Sequence, residues 1–312
     1  MCPISTLKTT RLYFATATLC ALLTGCDSPD SLYESNVSST GASILFEASL
    51  PHGESTLTVA SAVFENGQPE PLIGGDLIQI SAESGQIYLD NERYQENYYA
   101  GQLQLNNANS NIQLEIVHDA QGARAGRWYP TDEVLVDTEG SELVGYTASV
   151  TLPDLVEIIA PQPDLIYTSR GDEFTLEWTG SPSDRMSLVS FNICYSSQGD
   201  SLGWVKTFDI ADTQSYTVSI SQLIPDEETI ETAGNAQNVL TGLIQGIFEI
   251  YFEALTFGLY EAEDVRFDDF NLTYCELDIK LVRKKDGTLG EGVSGGGAIG
   301  STSDSVSMEY RP

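Results

Sequence analysis

The stretch YYAGQLQLNNANSNIQLEIVH, residues 98–118, decides the fold class. Leu103 and Leu105 recur at every second position before a polar cluster, and Ile112, Leu114 and Ile116 do the same after it. A period of two belongs to an extended strand with one face on a core, because successive side chains point to opposite sides. The separator NNANSN, residues 106–111, is rich in turn-forming Asn and Ser, so the spacing predicts a hairpin between the two strands.

Working outward, runs of the same length recur on both sides, as in SILFEASL (43–50), STLTVASAVF (55–64), DLIQISA (76–82), GQIYLD (85–90) and GYTASVTLP (145–153). The segment IIAPQPDL, 158–165, carries two prolines and separates this region from a second β-rich one. Domains are therefore expected at 43–158 and 159–312. The second reads FTLEW (174–178), SLVSFNICYS (187–196), WVKTFDIA (204–211), SYTVSIS (215–221), NLTYCELDIKLVR (271–283) and SVSMEY (305–310). No run suggests a βαβ unit, so nucleotide-binding folds are not expected. Gly290, Gly292 and Gly295 spell a GxGxxG with no helix pattern behind it, and read as a flexible hairpin loop.

In the second region Trp178 closes one strand, a Pro-containing turn follows, and an alternating strand ends in Tyr195. This order resembles the opening of fibronectin type III and related immunoglobulin-like domains, in which the Trp packs in the core and the next strand pairs with the penultimate one. The expected fold is all-β, two immunoglobulin-like β-sandwich domains. Such domains share no active site, so the resemblance implies architecture and not chemistry.

A long acidic insertion, 226–269, interrupts the second domain. Leu240, Leu243, Ile244, Ile247, Tyr251 and Leu255 recur with a period near 3.6, while Thr241, Gln245, Glu249 and Glu253 lie on the other side. The pattern predicts an amphipathic helix within 226–257, with Leu240, Ile244, Ile247, Tyr251 and Leu255 as a candidate interaction face. A strand reading of IFEIYFEAL also exists.

At the amino terminus Lys8 and Arg11 precede the apolar run Leu12–Leu23, which is short for a membrane-spanning helix and reads as a secretory signal. It ends in Leu23-Thr24-Gly25-Cys26, which resembles the lipobox of bacterial lipoproteins. That resemblance implies cleavage after residue 25, lipidation of Cys26, and attachment to a bacterial membrane facing the periplasm or the cell surface. Residues 26–42 then form a flexible tether. Asp27 resembles an inner-membrane retention signal, and the choice between inner and outer membrane stays open.

The chain of 312 residues holds 14 Lys and Arg against 46 Asp and Glu, a net charge of −32, which becomes −34 once Lys8 and Arg11 leave. Phosphate-binding partners, nucleic acid above all, need cation clusters that such a chain lacks. Of five cysteines, Cys194 and Cys275 remain after the signal and lipid site are set aside, and a disulfide between them is the natural proposal. Strand phase opposes it. Cys275 alternates with Leu277, Ile279 and Leu281, whereas Cys194 falls out of step with Phe191 and Ile193, so the sulfurs would face apart and two buried thiols are the alternative.

His52 and His118 lie 66 residues apart without ligand spacing, and zinc is not expected. Glu263, Asp264, Asp268 and Asp269 are weak calcium candidates that lack EF-hand spacing. Tyr94, Tyr98, Tyr99, Trp128 and Tyr129 could form an aromatic platform for sugars. No catalytic constellation or cofactor motif appears. The reading is a non-catalytic, lipid-anchored envelope protein acting as a structural or protein-interaction subunit, partnered by the membrane and another envelope protein. A surface glycan-binding module, with or without calcium, and a hydrolase are the alternatives.

Overall fold

The computed structural model describes residues 41–65, 68–69, 72, 76–91, 98–106, 110–118, 141–182, 185–199, 201–224, 229–232, 263–266 and 271–312. In chain order the first elements are β1 (Ala42–Pro51), β2 (Thr56–Glu65), β3 (Gln68–Pro69), β4 (Asp76–Ala82), β5 (Gly85–Tyr88), β6 (Asp90–Asn91), β7 (Tyr98–Gln104), β8 (Asn111–His118) and β9 (Thr147–Thr151). Next come β10 (Ile158–Ala160), β11 (Ile166–Tyr167), β12 (Glu173–Trp178), β13 (Arg185–Ser196), β14 (Ser201–Ile210), β15 (Ser215–Ser219) and α1 (Ile220–Leu223). β16 (Thr229–Thr232), β17 (Glu263–Arg266), β18 (Leu272–Asp286), β19 (Thr288–Leu289) and β20 (Gly295–Tyr310) complete the order. The protein is all-β, and one turn of helix, α1, is the sole helix among the described residues.

A ten-stranded sheet in the order β14-β13-β18-β20-β1-β2-β7-β6, with β11 on β20 and β3 on β2, runs through the molecule. A five-stranded sheet, β19-β9-β8-β4-β5, packs on one end of it and a three-stranded sheet, β10-β12-β15, on the other. Two cores result. Ile44, Phe46, Val59, Ile78, Ile80, Ile112, Leu114, Val150 and Ala298 belong to the first, and Leu176, Trp178, Leu188, Trp204, Leu277, Ile279, Val306 and Met308 to the second. Burying each such aliphatic side chain is worth about 1.5–3 kcal/mol against leaving it in water.

Strand β20 joins the two cores. Ala298, Val306 and Met308 share one parity and therefore one face of an unbroken strand, so both smaller sheets sit on the same side of the long one. Its first half runs parallel to β1, Ser43 opposite Gly295 through Pro51 opposite Ser303, and its second half pairs antiparallel with β18. Gly296 makes the parallel approach feasible. Its φ is +99°, and a Cβ there would strike the Ile44 backbone.

Three sequence expectations change. The NNANSN cluster is no hairpin, because β7 pairs with β2 in the long sheet while β8 pairs with β4 and β9 in the five-stranded one. The two apolar faces read around it meet across the first core instead of side by side. Gly295, Gly296 and Gly297 belong to β20 and not to a loop. Finally, the opening of the insertion is extended, since Thr229–Thr232 pairs with Glu263–Arg266 as a two-stranded antiparallel ribbon. The helical pattern and its residues Leu240, Ile244, Ile247, Tyr251 and Leu255 lie outside the described residues.

The register of β13 settles the cysteines. Cys194 stands directly opposite Cys275, with a Cα–Cα distance of 3.9 Å and the sulfurs at disulfide distance. Phase was misleading because β13 is buried on both faces. Leu188 and Cys194 enter the second core, while Val189 and Phe191 pack with Val282 on the reverse side of the long sheet. A strand covered on both sides carries apolar residues in both phases.

Candidate functional site

Three polar arrangements were not anticipated from the sequence. The first lies where the sandwiches meet. Arg283 on β18 has 0% exposure, and all five of its N–H donors are used. Nε donates to Asp212 Oδ2 at 2.7 Å and Nη2 to Oδ1 at 3.2 Å. The remaining donors reach the carbonyls of Asp154, Leu155 and Thr179, each at 3.1 Å. The Trp178 indole N–H donates to Asp212 Oδ1 at 2.8 Å. Nearby, Thr302 Oγ1 donates to the Asp154 carbonyl and Ile158 N to Asp304 Oδ2. The chain segment between the sandwiches is thus clamped to β18 and β20. A guanidinium so completely engaged has no donor left for a ligand, and its role is structural.

The second arrangement closes the far end of the first core. Asp76 at the start of β4 and His118 at the end of β8 are register partners, with Nδ1 of His118 2.8 Å from Asp76 Oδ1. Asp76 Oδ2 accepts from Ser141 N at 2.9 Å. Both side chains are shielded, at 0% and 10% exposure, and His118 Nε2 has no hydrogen-bond partner. An oriented imidazole with one open nitrogen is a chemically competent group, but no metal-binding cluster of His, Cys, Asp or Glu accompanies it among the described residues.

The third is a cleft of about 260 Å³ on the outer face of the five-stranded sheet, lined by Ser81, Gln113, Glu115, Thr147, Ser149 and Thr288 among others. Register explains it. Gln86, Ser81, Gln113, Ser149 and Thr288 form one row across five strands, and Tyr88, Gln79, Glu115 and Thr147 form the next. Every one of these positions alternates with a core residue such as Ile80, Leu114 or Ala148. The wall is built where β19 turns away at Gly290, whose N–H donates to the Thr147 carbonyl at 2.8 Å. A side chain there would collide with Thr147 Oγ1, so the wall can stand this close only with glycine. Thr288 and Ser149 hydroxyls bond each other at 2.8 Å.

The anticipated residues distribute as follows. Cys194 and Cys275 come together, both fully buried. Glu263 and Asp264 fall on β17, while Asp268 and Asp269 lie outside the described residues, as does Cys26. The aromatic platform is not assembled by what is described. Tyr99 is buried in the first core with its hydroxyl accepting from Leu72 N at 2.6 Å, and Tyr94, Trp128 and Tyr129 lie outside the described residues. Among the described residues no helix is long and apolar enough to cross a membrane.

No family model matches the chain, and no curated protein does. Among solved structures it is similar to a DUF4785 family protein from Legionella pneumophila, at 12% identity and a TM-score of 0.22. The match covers 57% of this chain and 53% of that one, so the chain spans about half the length of that structure, and nothing further is drawn from it.

Proposed function

We propose that this is a non-catalytic, lipid-anchored protein of the bacterial cell envelope, serving as a structural or protein-interaction subunit. One observation carries the reading. Leu155, Ile159, Leu165 and Ile166 are 41–51% exposed on the short segment that joins the two cores, just outside the Arg283 clamp. Four large apolar side chains facing solvent within one short segment fit a surface that another protein covers. The lipobox at Leu23–Cys26 and the polar tether to residue 42 would hold this surface near a membrane, and an overall charge of −32 makes acyl chains the means of attachment. Trp178 in the second core and the pairing of β13 with β18 support the fibronectin type III-like reading of the second sandwich.

The test places a photo-crosslinking amino acid at Ile159 in cells. The expected outcome is a discrete adduct with one envelope protein, lost on Ile166→Asp, while a palmitate analogue labels the wild type and not Cys26→Ser. Label incorporation that survives Cys26→Ser removes the anchor. Crosslinks that are diffuse or insensitive to Ile166→Asp remove the docking surface, and saturable hydrolysis by purified protein removes the non-catalytic assignment.

A further inference from the structure

We propose that the cleft on the outer face of the five-stranded sheet is a binding site for a neutral glycan. The site is independent of the apolar segment and goes beyond the envelope role.

The chemistry of the lining selects the ligand class. Ser81, Thr147, Ser149 and Thr288 offer hydroxyls that both donate and accept, Gln113 adds an amide with two donors and an acceptor, and Glu115 adds a carboxylate. That is the complement of a polyhydroxylated ring. Gln113 and Glu115 are exposed and, among the described residues, their side chains have no hydrogen-bond or ion-pair partner, so their capacity is available to a ligand. Among the described residues no Lys or Arg lines the cleft, and the chain carries a charge of −32, which together disfavour phosphorylated, sulfated or uronic-acid polymers.

The geometry argues against a peptide. Peptides commonly dock on a sheet by adding a strand to an open edge. Here the floor is β8 and β9, each already paired on both sides, and the edge strand at the cleft, β19, is only two residues long and offers little backbone to extend. Specificity must come from side chains on a pleated face with strands about 4.8 Å apart, so the four-strand row from Ser81 to Thr288 spans about 14 Å. A groove of that length with a volume of about 260 Å³ suits a short oligosaccharide stretch and is small for a folded partner. Tyr88 lies on the same face beyond Gln79, at the end of the second row, where an aromatic ring suits the apolar face of a sugar.

The experiment is affinity electrophoresis of the full chain in detergent, in native gels containing laminarin, galactomannan or dextran sulfate. The variants are Gln113→Ala with Glu115→Ala in the cleft, and Thr175→Val with Thr217→Val as control. Thr175 and Thr217 form a similar exposed hydroxyl pair at 2.9 Å on the three-stranded sheet, outside the cleft. The expected result is retardation of wild type and control by laminarin or galactomannan, with affinity at least tenfold weaker in the cleft variant and melting temperatures unchanged. Three results overturn the proposal: no retardation of the wild type by either neutral polymer, equal retardation of wild type and cleft variant, or retardation by dextran sulfate alone. None of these bears on crosslinking at Ile159.

Discussion

The two sandwiches share a sheet but secure their cores differently. The second holds Trp178 and Trp204, whose indole N–H groups reach Asp212 and the Leu223 carbonyl, together with a cysteine pair and an arginine whose every donor is engaged. The first has a mostly aliphatic core without tryptophan, an Asp76–His118 pair with one nitrogen unpartnered, and an outer face of polar side chains whose hydrogen-bonding capacity is only partly taken up among the described residues. The difference separates labour. Polar chemistry in the second sandwich is committed to rigidity, while that in the first stays available to something outside the protein.

The sharpest way to break this contrast is to take the covalent tie from the second sandwich. Cys194→Ser with Cys275→Ser opens a loop with a sequence separation of 81, and should cost about 4 kcal/mol in urea denaturation on the chain-entropy view. If the loss falls equally on probes of the first core, the two sandwiches are one cooperative unit. Nearly as large is Arg283→Met, which takes the charged donor from the Asp212 carboxylate and from three carbonyls, leaving Trp178 on Asp212 and Thr302 on the Asp154 carbonyl. A loss of about 3–5 kcal/mol is expected, and a loss below about 1 kcal/mol would show that the clamp is dispensable.

In the first sandwich, His118→Ala removes one of two donors to a buried carboxylate and should cost about 1–3 kcal/mol, with Tyr and Trp signals of the second sandwich unmoved at matched urea. The smallest effect is on pH dependence. Burial lowers the Lys284 amine from 10.5 to about 8, although Glu47 pulls it upward. Above pH 8 the folded state therefore binds fewer protons than the unfolded one, and stability should rise with pH until the unfolded lysine also titrates near 10.5. The rise should be about 1 kcal/mol from pH 8 to 9, and Lys284→Met should flatten it. A slope unchanged in that variant would assign the titration elsewhere.

The strands themselves were legible, since period-two runs such as SILFEASL and NIQLEIVH mark β1 and β8 within a few residues. Their partners were not. A six-residue polar separator is compatible with a hairpin and with a crossing between sheets, and the choice depends on which apolar faces meet, a property of the whole core. The strand-phase objection to the cysteine pairing failed for a related reason, because Phe191 and Ile193 mark a buried face of β13 without showing that the opposite face is buried as well, and the pair forms. Arg283 was invisible as a clamp, since Asp212 and the carbonyls of 154, 155 and 179 reach it only through folding. The cleft was invisible too. Gln113, Ser149 and Thr288 read individually as solvated strand positions, and only register sets them in a row.

The parallel pairing of β1 with β20 has a temporal consequence. Ala42 and Ser294 are in contact across 252 residues, so the neighbour that completes β1 is made only after that length of chain has followed it. From its own synthesis until β20 emerges the nascent chain carries β1 with one edge unpaired, and β18 joins it only briefly, between residues 286 and 295, so β1 is the edge that invites mispairing with other chains. A ribosome stalled before residue 295 would release a polypeptide with both sandwiches incomplete. Such a chain lacks the sixteen residues of β20, which act as the closing stave for both halves at once.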